Sequence, residues 1–327
     1  MSSPDMSGAD VSGADVSGAR MARAGVTRPA RAEQVTPTSA VARTLPSAAG
    51  PLAALIAEPL PRAEPTGDQV PAAGTVLLLP GYTGSKEDFL PLLDPLARMG
   101  FRAVAVDLPG QFESPGPEAE SAYAPLALGR VCAGVVRHLA QTSPVVLLGH
   151  SYGGLVARGA VLAGAPISGL VLLCSGPAAF RSGDRLDSLV AGEPILREHG
   201  KEVVYDNTVA VGRAARREVP PELAELLRRR FLSSSEAGLL GMGSALRTEP
   251  DRVTELHDAL SRAGTPVAVI AGRDDDAWPL PDQQDMAERL GTELALIDGA
   301  AHSPAVENPE ALLAVLVPLV HRWLAAA

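Results

Sequence analysis

The stretch Val145-Val-Leu-Leu-Gly149-His-Ser151-Tyr-Gly153-Gly154 constrains this chain more than any other. An apolar run meets a Gly-x-Ser-x-Gly turn, and a segment of small residues from Leu155 to Gly164 follows. That order is a buried strand, a sharp turn and a helix. A serine hydroxyl is a weak nucleophile and must stand clear of a sheet where a base can reach it. Such a turn strains the serine backbone, so the residues two before and two after it must be small. Gly149 and Gly153 meet that need, and Gly154 eases the helix entry. Glycine supplies 32 of the 327 residues, so the bare motif arises readily by composition, and it is the strand-turn-helix setting that makes it informative. The competing reading is a glycine-rich β–α turn whose serine only caps the helix.

The same alternation recurs along the chain. Short continuous apolar runs predict strands at Thr75 to Leu79, Phe101 to Asp107, Val145 to Leu148, Leu170 to Cys174, Pro266 to Ala271 and Glu293 to Ile297. Helical patterns lie between them at Tyr123 to Gln141 and Asp282 to Leu290. Ser85-x-x-Asp88 resembles a capping box for a helix to about Met99. Asn308-Pro309 starts a last helix, which Pro318 should kink. Val41 to Leu45 and Leu52 to Glu58 flank Gly50-Pro51 and form an expected antiparallel hairpin. Strands without polar alternation, separated by helices, imply an α/β fold with a mostly parallel central sheet covered by helices on both faces.

The alternation breaks once. Residues 177–262 are rich in Arg and Glu and helical in pattern, too long for a simple crossover, and read as a helical cap inserted between core segments 41–176 and 263–327. Residues 1–40 carry a Ser-Gly-Ala-Asp-Val repeat with no period that supports burial, and read as a disordered tail, with Met21 an alternative start. Net charge is −10, which argues against nucleic acid as a partner. No apolar run approaches a membrane span and no secretory signal is evident, so a cytoplasmic protein is expected. Cys132 and Cys174 read as small buried hydrophobes. None of His138, His199, His257 and His321 has a partner at ligand spacing, so no metal or cofactor is expected.

A serine nucleophile needs a base, and the base an orienting acid. One strand ends in Gly272-Arg-Asp-Asp275-Asp-Ala-Trp278-Pro279 and the last in Asp298-Gly-Ala-Ala-His302. Both groups fall in loops after strands, and the chain order is serine, acid, histidine. Asp274 and Asp276 flank Asp275, so the acid rests on register.

With Leu78-Leu79-Pro80-Gly81-Tyr82, Asp107-Leu-Pro-Gly110, the serine turn, Gly272-Arg-Asp-Asp275 and His302, the chain resembles α/β-hydrolase-fold proteins of the serine type over roughly residues 45–327. The block from Pro80 to Phe89 resembles hydrolases of high-GC actinobacteria. The resemblance implies Ser151 as nucleophile, His302 as general base then acid, Asp275 as the group that orients His302, and the backbone N–H groups of Tyr82 and Tyr152 as the oxyanion hole. Pro80 stands where many relatives have His, and Ala301 where Gly is usual. The expected activity is cofactor-independent cleavage of an ester or thioester of a small, largely apolar acid through an acyl-enzyme. The same residues serve a lyase, a perhydrolase or an acyl transferase, or remain idle in a ligand-binding protein. A small acyl substrate is the expected partner, with the chain a monomer or homodimer. His150 should point away from the site in a structural role, and Asp107 should organise its turn. Arg228-Arg229-Arg230 should be a solvated face. The side chains of Tyr82, Tyr152 and Trp278 are candidate pocket walls.

Overall fold

The computed structural model describes residues 34–35, 37–59, 73–214 and 219–327. The repeat at residues 7–19 and Met21 lie outside them. Eight strands form one sheet in the order β1-β2-β4-β3-β5-β6-β7-β8. They are β1 (Val41–Leu45), β2 (Leu52–Ala57), β3 (Thr75–Leu79), β4 (Arg102–Val106), β5 (Val145–His150), β6 (Gly169–Leu173), β7 (Val267–Gly272) and β8 (Leu294–Ile297). β1 and β2 make the expected hairpin, β2 pairs antiparallel with β4, and every later pairing is parallel. β2 alone therefore runs against the rest.

Apolar residues on both faces of each central strand are what this layering needs. Leu77, Leu79 and Leu147 enter one core with α2 (Pro125–Leu139), α3 (Tyr152–Leu162), α7 (Val253–Ala263) and α8 (Leu280–Arg289). Val76, Leu78 and Leu148 enter the other, with α1 (Leu90–Arg98), α9 (Pro304–Glu307) and α10 (Pro309–Ala325). Each fully buried Leu or Val contributes roughly 1.5–3 kcal/mol. The Asn308 side chain accepts the Ala311 N–H at 3.2 Å, capping α10 as expected, and α10 continues through Pro318. The Ser85 N–H donates to Asp88 at 3.2 Å, but the helix it opens is first a 3-10 turn, Lys86–Phe89, before α1. Residues 38–39, expected in the tail, bond to Asp94 of α1 through Thr38 Oγ1 at 2.9 Å and the Ser39 hydroxyl at 2.7 Å.

Between β6 and β7 lie α4 (Asp184–Ala214), α5 (Pro221–Ser233), α6 (Glu236–Thr248) and then α7. α4 is two helices meeting at Gly200, whose φ of 80° few other residues adopt. Buried Arg158 of α3 grips this insertion, donating to the Pro177 carbonyl at 2.5 Å and to Glu249 at 2.9 Å. The arginine run of α5 departs from expectation. Arg228 is exposed, Arg229 lies over the Phe112 ring at 5.4 Å, and Arg230 is buried and ion-paired with Asp88 at 2.6 Å. Asp107 organises its turn by taking both the Lys86 backbone N–H and Nζ at 2.8 Å. Burial pulls the pKa of that ammonium down, but Asp107, Glu87 and Glu113 outweigh it, and the net shift is upward.

Candidate active site

Parallel strands end at one edge, and the register aligns those ends. Leu79 of β3 pairs with Gly149 of β5, His150 of β5 with Leu173 of β6, and Gly272 of β7 with Ile297 of β8. The loops that follow β3, β5, β7 and β8 therefore meet, which is where ligands bind in sheets of this kind.

Ser151 has φ 54° and ψ −121°, a left-handed conformation that costs on the order of 1–3 kcal/mol for a residue other than glycine. The glycines around it relieve contact rather than strain. A Cβ on Gly149 would stand 2.2 Å from the Gly153 carbonyl, and one on Gly153 2.4 Å from the Leu79 carbonyl. Both contacts are with backbone and cannot yield.

Ser151, His302 and Asp275 come together. His302 Nδ1 lies 2.8 Å from Asp275 Oδ1, and His302 Nε2 lies 2.9 Å from Ser151 Oγ. A carboxylate only accepts, so the proton is on Nδ1, and Nε2 is left to accept the serine hydroxyl. The register question is resolved spatially: Asp275 faces the histidine, while Asp276 pairs with Arg185 of α4 at 2.7 Å. Ser151 and His302 are buried, and the Asp275 side chain is fully withdrawn from solvent.

Three supporting groups carried no sequence signal. Gln283 of α8, fully buried, donates from Nε2 to Asp275 Oδ2 at 2.9 Å and to the Trp278 carbonyl at 3.0 Å. The Ala277 N–H donates to Asp275 Oδ1 at 3.0 Å. Buried Glu307 of α9 takes the Ala301 and Ser303 N–H groups at 2.7 and 3.1 Å, gripping the loop on either side of His302. These partners lie only two to eight residues from the groups they hold, yet the pairing depends on how each loop folds back on the helix after it, which the motifs do not encode.

The expectation for His150 needs correction. Rather than pointing away, its ring lies 5.0 Å from that of His302, and its Nε2–H donates to the His302 carbonyl at 2.6 Å. Burial, then the neighbouring His302, push its pKa down to about 4, so it is neutral. The Tyr152 side chain is no pocket wall either: fully buried, it donates its hydroxyl to the Tyr123 carbonyl. The Tyr152 N–H is the first of α3 and has no partner within the helix. Gly81 lies against the nucleophile, since a Cβ there would be 3.0 Å from Ser151 Cβ. Tyr82 follows Gly81 and packs below α6, with its hydroxyl beside Gly243. Trp278 is buried, donates to the Ala178 carbonyl at 3.0 Å and tilts against His302 at 6.4 Å between ring centres. Cys132 and Cys174 are buried and free. No helix among the described residues is long and apolar enough to cross a membrane.

The chain and its fold have counterparts among known proteins. The chain is 28% identical over 261 residues to the pimeloyl-[acyl-carrier protein] methyl ester esterase of Xanthomonas campestris pv. campestris, covering 77% of this chain and 95% of that one. Its fold resembles that of a thermophilic esterase from Thermogutta terrifontis, with TM-score 0.64 and 21% identity over 88% of this chain and 99% of that one. A carboxylesterase structure from the thaumarchaeon Nitrososphaera gargenis gives TM-score 0.67 and 19% identity over 87% and 100%. The profile of the alpha/beta hydrolase family matches residues 76–315, from β3 through β8 with the helices and inserted segment between them and into α10, and the chain belongs to that family.

Proposed function

We propose that this protein is a serine esterase that cleaves a carboxylic ester or thioester of a small, largely apolar acid through an acyl-enzyme, with Ser151, His302 and Asp275 as its catalytic triad. The observation that carries this reading is the unbroken chain from Ser151 Oγ through His302 to Asp275, at 2.9 and 2.8 Å. Ser151 Oγ attacks the carbonyl carbon as its proton passes to His302 Nε2. Asp275 stays ionised and stabilises the imidazolium. The oxyanion receives the N–H groups of Tyr82 and Tyr152, the latter at the positive end of α3. Collapse expels the alcohol or thiol, which takes the proton from His302 Nε2. Water then gives a proton to the same nitrogen and attacks the acyl carbon, and Ser151 leaves with that proton as the acid is released.

Of the expected cap, residues 177–262, the helices α4, α5 and α6 are assigned as a cap over this edge of the sheet, while α7 at its end belongs to the helical layer beside α3 and α8. Leu186 and Leu189 of α4 pack on the cluster that holds Trp278 and Phe180, which suits an apolar acyl group. The Xanthomonas relative is named for the cleavage of a carboxylic ester, a pimeloyl-[acyl-carrier protein] methyl ester, which supports ester-bond chemistry here.

Intact-mass spectrometry after a fluorophosphonate probe tests the reading. One adduct is expected on the wild type and none on Ser151→Ala, with p-nitrophenyl butyrate hydrolysis reduced at least ~10³-fold in the variant. Full activity in Ser151→Ala would rule out the mechanism.

A further inference from the structure

Gln111 is buried in the turn after β4 and had no part in the sequence argument. Its Oε1 accepts the Leu108 N–H at 3.0 Å, and its Nε2 donates to the Gly81 carbonyl at 2.8 Å. A backbone N–H only donates and a carbonyl only accepts, so these two partners fix which end of the amide faces which. The Gly84 N–H also donates to the Gly81 oxygen, at 3.0 Å, so both lone pairs of that carbonyl are engaged. A peptide group is planar and trans, and its C=O and N–H point in opposite directions. Holding the Gly81 oxygen therefore sets the direction of the Tyr82 N–H. Donors on the carbonyl also polarise the peptide and strengthen that N–H as a donor. Gly81 lies against Ser151, with the position of a Cβ there 3.4 Å from Ser151 Oγ.

We propose that Gln111 is a positioning residue for the oxyanion site, aiming the Tyr82 N–H by holding the Gly81 carbonyl from the side away from the nucleophile. The inference rests on the serine-esterase reading, in which the Tyr82 N–H meets the oxyanion. Gln111 Nε2 also lies 3.9 Å from Met242 Sδ of α6, so the same amide joins the oxyanion loop to the inserted helices.

Two variants test it. Gln111→Met keeps volume and loses both bonds. Gln111→Glu keeps the acceptor for Leu108 and loses the donor to Gly81. Each is compared with wild type for kcat and KM on p-nitrophenyl butyrate, normalised to the serine labelled by a fluorophosphonate. Affinity for a trifluoromethyl ketone, whose adduct mimics the tetrahedral oxyanion, is measured alongside. Removing an oxyanion donor outright costs about 10²–10³-fold. Misaiming one is expected to cost roughly tenfold or more in kcat per labelled site, with KM changed less than about twofold. Ketone affinity should weaken by a similar factor to kcat/KM. A merely structural role would lower melting temperature or the labelled fraction and leave kcat per labelled site and ketone affinity intact. That outcome in either folded variant overturns the proposal for Gln111 alone. No labelling and no turnover in the wild type would instead remove the esterase reading, and this inference with it.

Discussion

His150 shows how much one buried side chain can decide. It is neutral, and burial keeps its pKa near about 4, whereas the unfolded chain takes up that proton near pH ~6.5. The folded state therefore loses stability as pH falls between those values and keeps its full share above the upper one. The difference amounts to about 3 kcal/mol at the acid end. Urea denaturation at about pH 7 and about pH 5 should show a steeper acid loss in wild type than in His150→Gln. Equal slopes would mean that His150 titrates normally. At this scale the sequence was legible where chemistry is local. Ser151, Asp275 and His302 were named from turns and strand ends, and they meet in space. The partners of those groups were not legible. Gln283, Gln111 and Glu307 are ordinary polar residues on their own elements, and they matter only for the atoms brought opposite them.

Among the elements, α2 and α3 pack backbone against backbone. A Cβ on Gly129 of α2 would stand 2.3 Å from the Gly159 backbone of α3. Replacing Gly129 by Ala gains up to about 1 kcal/mol of helix propensity, but overpacking costs typically about 1–3 kcal/mol. Backbone cannot yield as a flexible side chain can, so the clash wins. Gly129→Ala should lower unfolding free energy by about 1 kcal/mol, the mid-range clash less the propensity gain, in chemical denaturation, and a neutral or stabilising result would show that the helices separate easily. Because Ser151 immediately precedes α3, the same variant reports how firmly the serine turn is held. Strand and helix positions were readable to within a few residues because apolar runs mark buried strands whatever their neighbours. The side chain of Tyr152 was misplaced for the complementary reason: which face of α3 meets α2 is settled by packing, not by the turn motif.

For the whole molecule, two kinds of attachment coexist. The sheet and its helices are joined by buried apolar residues, and the buried Arg158–Glu249 pair ties α3 to the end of α6, while α4 adds to its few apolar contacts two half-exposed ion pairs, Arg185–Asp276 at 2.7 Å and Arg197–Glu120 at 2.7 Å. Such pairs are worth about 0–1 kcal/mol each. They weaken at about 1 M salt, where the screening length falls to roughly 3 Å. Tryptic cleavage within α4 should therefore quicken at high salt while the remaining fragments stay intact. Unchanged cleavage would mean that apolar contacts of Leu186, Leu189 and Leu196 hold the helix instead.

The sequence by itself determined the α/β class, the serine turn and the chain order of Ser151, Asp275 and His302 at strand ends, because periodicity and steric demand act over a few residues. Only the tertiary structure decided the strand order, which of three adjacent aspartates faces His302, and which amides hold the site. Those outcomes depend on hydrogen-bond and packing partners set by the folded chain, from 8 residues apart for Gln283 with Asp275 to 30 for Gln111 with Gly81 and 151 for His302 with Ser151. A single chain segment carries no record of them.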